Sequence, residues 1–147
     1  MKIAVGSDEK TNLTDIIVDE LDRRGHEIRL YGPIAGEGTP WNDVARSVDR
    51  TVRDGECEQG VLLCWTGTGV SIAANKVPGI RAALCQDAQT ASGARKWNDA
   101  NILAMSLRST SPEVDREIID AWFSAEPEEE ERENIEKVNE IEKKYSK

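Results

Sequence analysis

Short apolar runs alternate with amphipathic stretches along the whole chain, and this alternation constrains the fold more than any other feature. The apolar runs fall at residues 2–6, 27–31, 60–64, 81–85 and 101–104. Each run is apolar nearly throughout, as strands covered on both faces of a sheet are. Alternation of such strands with helices is typical of βαβ units. The sequence therefore predicts an α/β fold built on a five-stranded parallel sheet.

The connecting segments carry helix signals at their ends. Glycines at Gly25 and Gly55 stop two stretches with helical apolar spacing, and Ser111-Pro112 is typical of an N-cap followed by a first turn. We assign residues 1–125 to one domain. Residues 126–147 hold nine Glu against five Lys or Arg, and we predict an acidic C-terminal helix that begins at Pro127. Its apolar seam is thin, so we expect it to lie across a partner subunit.

Composition excludes several classes of function. A chain of 147 residues is the size of a single domain, and its net charge of −9 repels nucleic acid. The sequence contains no apolar run of membrane-spanning length, and its first residues lack the regions of a signal peptide. We therefore expect a cytoplasmic protein with no membrane partner. Three cysteines and one histidine predict neither a disulfide framework nor a metal site.

The stretch CWTGTGVSIAANK, residues 64–76, carries the clearest chemical signal. A predicted strand ends at Cys64, a glycine-rich turn follows, and a helix begins. Such a turn directs backbone N–H groups towards one point, which favours an anion or a developing oxyanion. A buried strand cysteine is more often an inert core residue. On its own, the motif is compatible with a catalytic cysteine and with an inert core cysteine.

Three segments of the chain resemble the type B ribose-5-phosphate isomerase and galactose-6-phosphate isomerase family. They are GVLLCWTGTGVSIAANKVPGIRAALC at 60–85, KIAVGSD at 2–8 and ARKWNDANILAMSLR at 94–108. The resemblance implies a Rossmann-like three-layer fold and a homodimer or tetramer with its sites where subunits meet. It also implies aldose–ketose isomerisation through an enediolate, with no metal or cofactor.

The resemblance also assigns roles to individual positions. It implies that Cys64 is the base that transfers the proton and that Asp8 is a polar site residue after the first strand. Asn98 would hold substrate oxygens. The turn that holds the enediolate oxygens would consist of Thr66, Gly67, Gly69 and Ser71.

Several positions depart from the family pattern. Trp97 replaces a histidine that opens the sugar ring, and an indole N–H cannot shuttle protons at neutral pH. Trp65 replaces a glycine, and Trp41 lies near a family tyrosine. Glu9 replaces another histidine. Of the basic residues that bind the substrate phosphate in the family, Lys137 remains in this sequence. We expect all five to contact a changed ligand.

These observations support one leading hypothesis and two alternatives. The leading hypothesis is a sugar isomerase that uses Cys64 on an atypical or non-phosphorylated sugar, because an intact cysteine turn accompanies lost phosphate and ring-opening groups. A linear or short substrate would need no ring opening. The alternatives are a non-catalytic metabolite-binding protein on the same scaffold, and an ordinary ribose-5-phosphate isomerase.

Overall fold

Five parallel strands form the sheet that the sequence predicts. The structure, a computed structural model, describes residues 1–146. The strands are β1 (Lys2–Ser7), β2 (Glu27–Tyr31), β3 (Gln59–Cys64), β4 (Ala82–Leu84) and β5 (Ile102–Ser106). The helices are α1 (Asn12–Arg23), α2 (Trp41–Arg53), α3 (Thr68–Ala74), α4 (Ala88–Asn98), α5 (Pro112–Phe123) and α6 (Arg132–Tyr145), with 3₁₀ turns at Gly32–Ala35 and Glu129–Glu131.

The strand order is β2-β1-β3-β5-β4, and every pairing is parallel. Helices cover both faces of the sheet, so the predicted Rossmann-like α/β fold is confirmed. The strand that follows β1 in the sequence, β2, lies on one side of the β1–β3 pair, and the strands that follow β3, β4 and β5, lie on its other side. The carboxyl ends of β1 and β3 therefore flank the point where the strand order reverses, which is where open α/β sheets bind their ligands.

Side chains alternate between two apolar layers along each strand, as the two-residue period of a strand requires. Val61 and Leu63 face the layer formed with α1, α4 and α5. Leu62 and Cys64 face the layer formed with α2 and α3. The side chain of Cys64 is therefore directed to the face that carries the glycine-rich turn and α2.

The predicted helix signals are confirmed at most ends. Gly25 and Gly55 follow α1 and α2 with positive φ values of 85° and 78°. The Ser111 hydroxyl accepts a hydrogen bond from the Val114 N–H at 3.2 Å, which caps α5.

The start of the last helix was predicted wrongly. It begins at Arg132 rather than at Pro127, because the Glu128 N–H donates to the Lys96 carbonyl of α4 at 2.8 Å and holds the segment in a non-helical conformation. Within the described chain, α6 buries none of its residues. No helix in residues 1–146 combines the length and apolar character needed to cross a bilayer.

Candidate active site

Parallel register brings together two polar residues that are far apart in sequence. Ser7 of β1 pairs with Leu63 of β3, so the next step along the two strands places Asp8 beside Cys64. Cys64 in turn pairs with Ser106 of β5. The thiol and the carboxyl group therefore lie at the carboxyl edge of the sheet, where the strand order reverses.

A pocket of about 290 Å³ opens at this edge. Its lining consists of Asp8, Trp41, Cys64, Trp65, Thr66, Thr68 and Gly69. Cys64 is only 5% exposed, yet it borders the cavity, so this residue forms part of the pocket floor. The structure thus brings together six residues that the sequence predicted for the site, namely Asp8, Trp41, Cys64, Trp65, Thr66 and Gly69.

The glycine-rich turn has the conformation that the sequence suggested. Gly67 has φ +79° and immediately precedes α3. A Cβ atom there would lie 2.9 Å from the Met105 carbonyl carbon, so only glycine fits between the turn and β5. The first turn of any helix leaves its N–H groups without intrahelical partners. The backbone of this turn is therefore free to donate to an oxyanion in the pocket.

Two tryptophans flank the pocket from different elements. Trp41 begins α2, and its ring lies against Gly69, where an added Cβ would come within 3.0 Å of it. The Trp65 carbonyl accepts hydrogen bonds from the Ser106 hydroxyl and the Arg108 N–H, both at 2.9 Å. These two bonds fix the backbone that carries the Trp65 indole.

Asp8 has the electrostatic environment of an acid–base group. Burial raises the pKa of its carboxyl above the ordinary value, and the negative charge of Glu9 raises the pKa further. Its Oδ1 is buried without a hydrogen-bond partner in the described chain. A buried acceptor of this kind is typically satisfied by a ligand or a water molecule. Asp8 is therefore suited to exchange a proton with a substrate oxygen.

Trp97 and Asn98 lie apart from the Cys64 pocket of the same chain. They border a groove of about 860 Å³ between α6 and the body of the domain, together with Arg81 and Ala100. In a βαβ unit the helix runs antiparallel to the strands, so the end of α4 lies at the amino edge of the sheet. Cys64 lies at the carboxyl edge. Trp97 and Asn98 of one chain therefore do not reach the Cys64 of the same chain.

Four other predicted contact residues lie outside the lining of the Cys64 pocket, as described for residues 1–146. The Glu9 side chain is exposed, while its backbone is tied to the Ser7 hydroxyl in the turn after β1. Gly67 is buried under β5, and Ser71 lies in the second turn of α3. Lys137 is exposed on α6 and pairs with Glu133 at 3.9 Å. Their predicted contacts with substrate remain predictions.

The remaining cysteines and the histidine lie away from the pocket. Burial raises the pKa of the Cys85 thiol to about 12 and also raises that of Cys57, so both thiols are unreactive. His26 packs against the Phe123 ring at 4.7 Å between ring centroids. Its Nδ1 lies 3.2 Å from the amino group of Met1. The chain has no other histidine.

Two residues near the pocket were not predicted from the sequence. Thr68 lines it, and its hydroxyl hydrogen-bonds to that of Thr66 at 2.7 Å. Arg108 is exposed and joined to Trp65 through its backbone. Arg108 follows the carboxyl end of β5, and this position could have identified it from the sequence as a candidate site residue.

Comparison with known proteins points to a family. The model of the family described as Ribose/Galactose Isomerase matches residues 3–141. D-erythrulose-4-phosphate isomerase of Pectobacterium atrosepticum is 42% identical over 128 residues, covering 86% of this chain and 84% of that protein. Ribose-5-phosphate isomerase B of Escherichia coli is 40% identical over 126 residues, covering 85% of both chains. The solved structure of ribose-5-phosphate isomerase B from Clostridium thermocellum is 43% identical with a TM-score of 0.93, covering 99% of this chain and 100% of that chain.

Proposed function

The chain belongs to the ribose/galactose isomerase family and is an isomerase, and from this premise we propose that it interconverts an open-chain four-carbon aldose phosphate and the corresponding ketose phosphate. Cys64 would carry the proton between the two carbons. The family relationship supports a sugar phosphate substrate in place of the non-phosphorylated sugar considered from the sequence. The choice of a four-carbon chain depends on the site.

The observation that carries the proposal is the position of His26. The sole histidine of the chain packs on Phe123 and borders a groove between α1 and β2, so the Cys64 pocket contains no imidazole to open a sugar ring. A four-carbon sugar with its phosphate on C4 has no free hydroxyl that can close a five- or six-membered ring. Such a sugar stays open-chain and needs no ring opening. The P. atrosepticum relative is named for an erythrulose 4-phosphate of this kind.

The pocket contains the groups that the proton transfer needs. Starting from the ketose, the Cys64 thiolate takes a proton from C1 while the Asp8 carboxylic acid gives its proton to O2, which forms an enediol. The thiol then returns its proton to C2, and the Asp8 carboxylate accepts the proton from O1 as the aldehyde forms. Both groups end as they began. The raised pKa of Asp8 favours the protonated form that starts this cycle.

The turn would hold O2, the oxygen on which negative charge develops as the proton leaves C1. Backbone N–H groups at the start of α3 and the paired hydroxyls of Thr66 and Thr68 border the pocket. Donors that are already oriented stabilise developing negative charge efficiently. Among the described pocket-lining residues none is basic, so we assign the phosphate to Arg108, whose backbone is bonded to Trp65.

A second copy of the chain would complete the site. Trp97 and Asn98 lie at the amino edge of the sheet, so they can meet a Cys64 pocket only from another subunit. The apolar seam of α6, which includes Val138 and Ile141, is largely exposed beside the same groove. A partner subunit that covers this seam would bury apolar surface, which favours association. We therefore propose a homodimer or a tetramer built from such pairs.

Solvent exchange tests the function directly. In deuterated water the protein should interconvert erythrulose 4-phosphate and erythrose 4-phosphate with incorporation of deuterium at the transferred position. Cys64→Ala should lose at least about 10²-fold in kcat/KM, the lower range for a group that transfers a proton in the transition state. Cys57→Ala removes a thiol remote from the pocket and should keep the activity.

Two outcomes would overturn parts of this proposal. An absence of turnover and of exchange with the four-carbon phosphates would refute the substrate, and full activity of Cys64→Ala would refute the role of the thiol. Turnover of ribose 5-phosphate as fast as that of erythrose 4-phosphate would instead establish the ordinary ribose-5-phosphate isomerase alternative, because ribose 5-phosphate closes a ring through its C4 hydroxyl.

A further inference from the structure

We propose that the indole of Trp65, together with that of Trp41, limits the chain length of the substrate at the Cys64 pocket. This inference rests on the proposed function and names the residues that select a four-carbon chain over a five-carbon chain. The selection is steric and does not depend on ring opening.

The exposure of the lining residues distinguishes the floor of the pocket from its mouth. Cys64 is 5% exposed, whereas Trp65 is 56% exposed and Trp41 is 42% exposed. All three border the same cavity of about 290 Å³. A sugar whose C1 and C2 lie against the thiol must therefore direct its remaining carbons and its phosphate outwards past the two indoles.

Contacts on the body of the domain hold the backbone of Trp65 and the ring of Trp41. The Trp65 carbonyl accepts from the buried Ser106 hydroxyl and from the Arg108 N–H, at 2.9 Å each. Ser106 also accepts from the Ser109 N–H at 3.0 Å, so its hydroxyl is itself fixed. The Trp41 ring lies against Gly69, where even a methyl group would come within 3.0 Å. The mouth therefore does not widen by a simple shift of the backbone.

The volume of the pocket agrees with selection for a short chain. About 290 Å³ is at the lower limit of the range found for small-molecule sites. Each additional carbon places a further hydroxymethylene group between the indoles. In a pocket of fixed shape, one additional carbon commonly changes kcat/KM by about 10- to 200-fold. Removing the Trp65 indole leaves space for that group.

The test compares two open-chain ketoses that differ by one carbon. Erythrulose 4-phosphate and ribulose 5-phosphate both lack a hydroxyl able to close a ring, because the terminal oxygen of each carries the phosphate. Their ratio of kcat/KM therefore reports chain length and not ring opening. The unmodified enzyme should favour erythrulose 4-phosphate by about tenfold or more, and Trp65→Ala should reduce that ratio by about tenfold or more.

Controls separate this inference from the proposed function. Trp65→Phe keeps a smaller ring and should give an intermediate ratio, and Ile72→Ala, at an exposed apolar residue of α3 outside the lining, should leave the ratio unchanged. Because Trp65 is more than half exposed, its replacement should preserve the fold, which a thermal melt checks. An unchanged ratio in Trp65→Ala, or equal use of both ketoses by the unmodified enzyme, would overturn the inference. Absence of turnover with erythrulose 4-phosphate would refute the proposed function instead.

Discussion

Asp49 is a buried carboxylic acid in α2, and its replacement by asparagine should change how the stability of the protein depends on pH. The side chain is fully buried, and neither of its carboxylate oxygens has a hydrogen-bond partner within residues 1–146. Burial raises the pKa of Asp49 to about 7. In the unfolded chain the pKa is about 3.9. The folded protein therefore holds an additional proton between these two pKa values, and stability falls as the pH rises through that interval.

The magnitude follows from the distance in pH between the folded pKa and the conditions of measurement. At about pH 5.5 the carboxyl is about 1.5 units below its folded pKa, and each unit corresponds to about 1.4 kcal/mol, so protonation contributes about 2 kcal/mol. At about pH 8.5 the group is ionised in both states and that contribution is gone. Asparagine does not titrate. On going from about pH 5.5 to about pH 8.5, the free energy of unfolding of Asp49→Asn should therefore rise by about 2 kcal/mol relative to that of the unmodified protein.

Urea unfolding at both pH values measures the difference. Asp43→Asn is a matched control, because Asp43 lies on the same helix with its side chain exposed. The stability of this variant should depend on pH in the same way as that of the unmodified protein. If the difference between Asp49→Asn and the unmodified protein is the same at both pH values, the argument that burial holds the Asp49 proton is refuted. Both measurements lie above the sequence pI of about 4.7, where net charge keeps the protein soluble.

Two further predictions concern the turn and the proposed subunit contact. Gly67→Ala and Gly25→Ala both place a side chain at positive φ, which costs about 1–2 kcal/mol. The new methyl group at position 67 also lies 2.9 Å from the Met105 carbonyl carbon, whereas the one at position 25 has no neighbour within 4 Å. Urea unfolding should show a clearly larger loss for Gly67→Ala, and equal losses would contradict the close packing of the turn. Ile141→Lys places a charge in the apolar seam of α6 and should shift the protein to monomers in light scattering with loss of isomerase activity. A fully active assembly of unchanged mass would contradict a subunit contact at the α6 seam.

Local sequence signals predicted most of the fold. Hydrophobic periodicity and helix-end residues act over a few positions, so the strands, the stops at Gly25 and Gly55 and the cap at Ser111 could be read from the sequence. The error at Pro127 has a tertiary cause. The N–H of Glu128 is occupied by a carbonyl of α4, and no local pattern reports that contact.

The order of elements, the turn that follows Cys64 and the residue types available for chemistry, including the absence of a second histidine, could all be predicted from the amino-acid sequence. Which of those residues share a pocket depends on how the strands and helices assemble. Asp8 and Cys64 meet because two parallel strands pair in one register, whereas Trp97 and Asn98 are carried by an antiparallel helix to the opposite edge of the sheet. Proximity in a parallel α/β fold depends on strand order and on which end of an element a residue occupies, and both are properties of the assembled sheet.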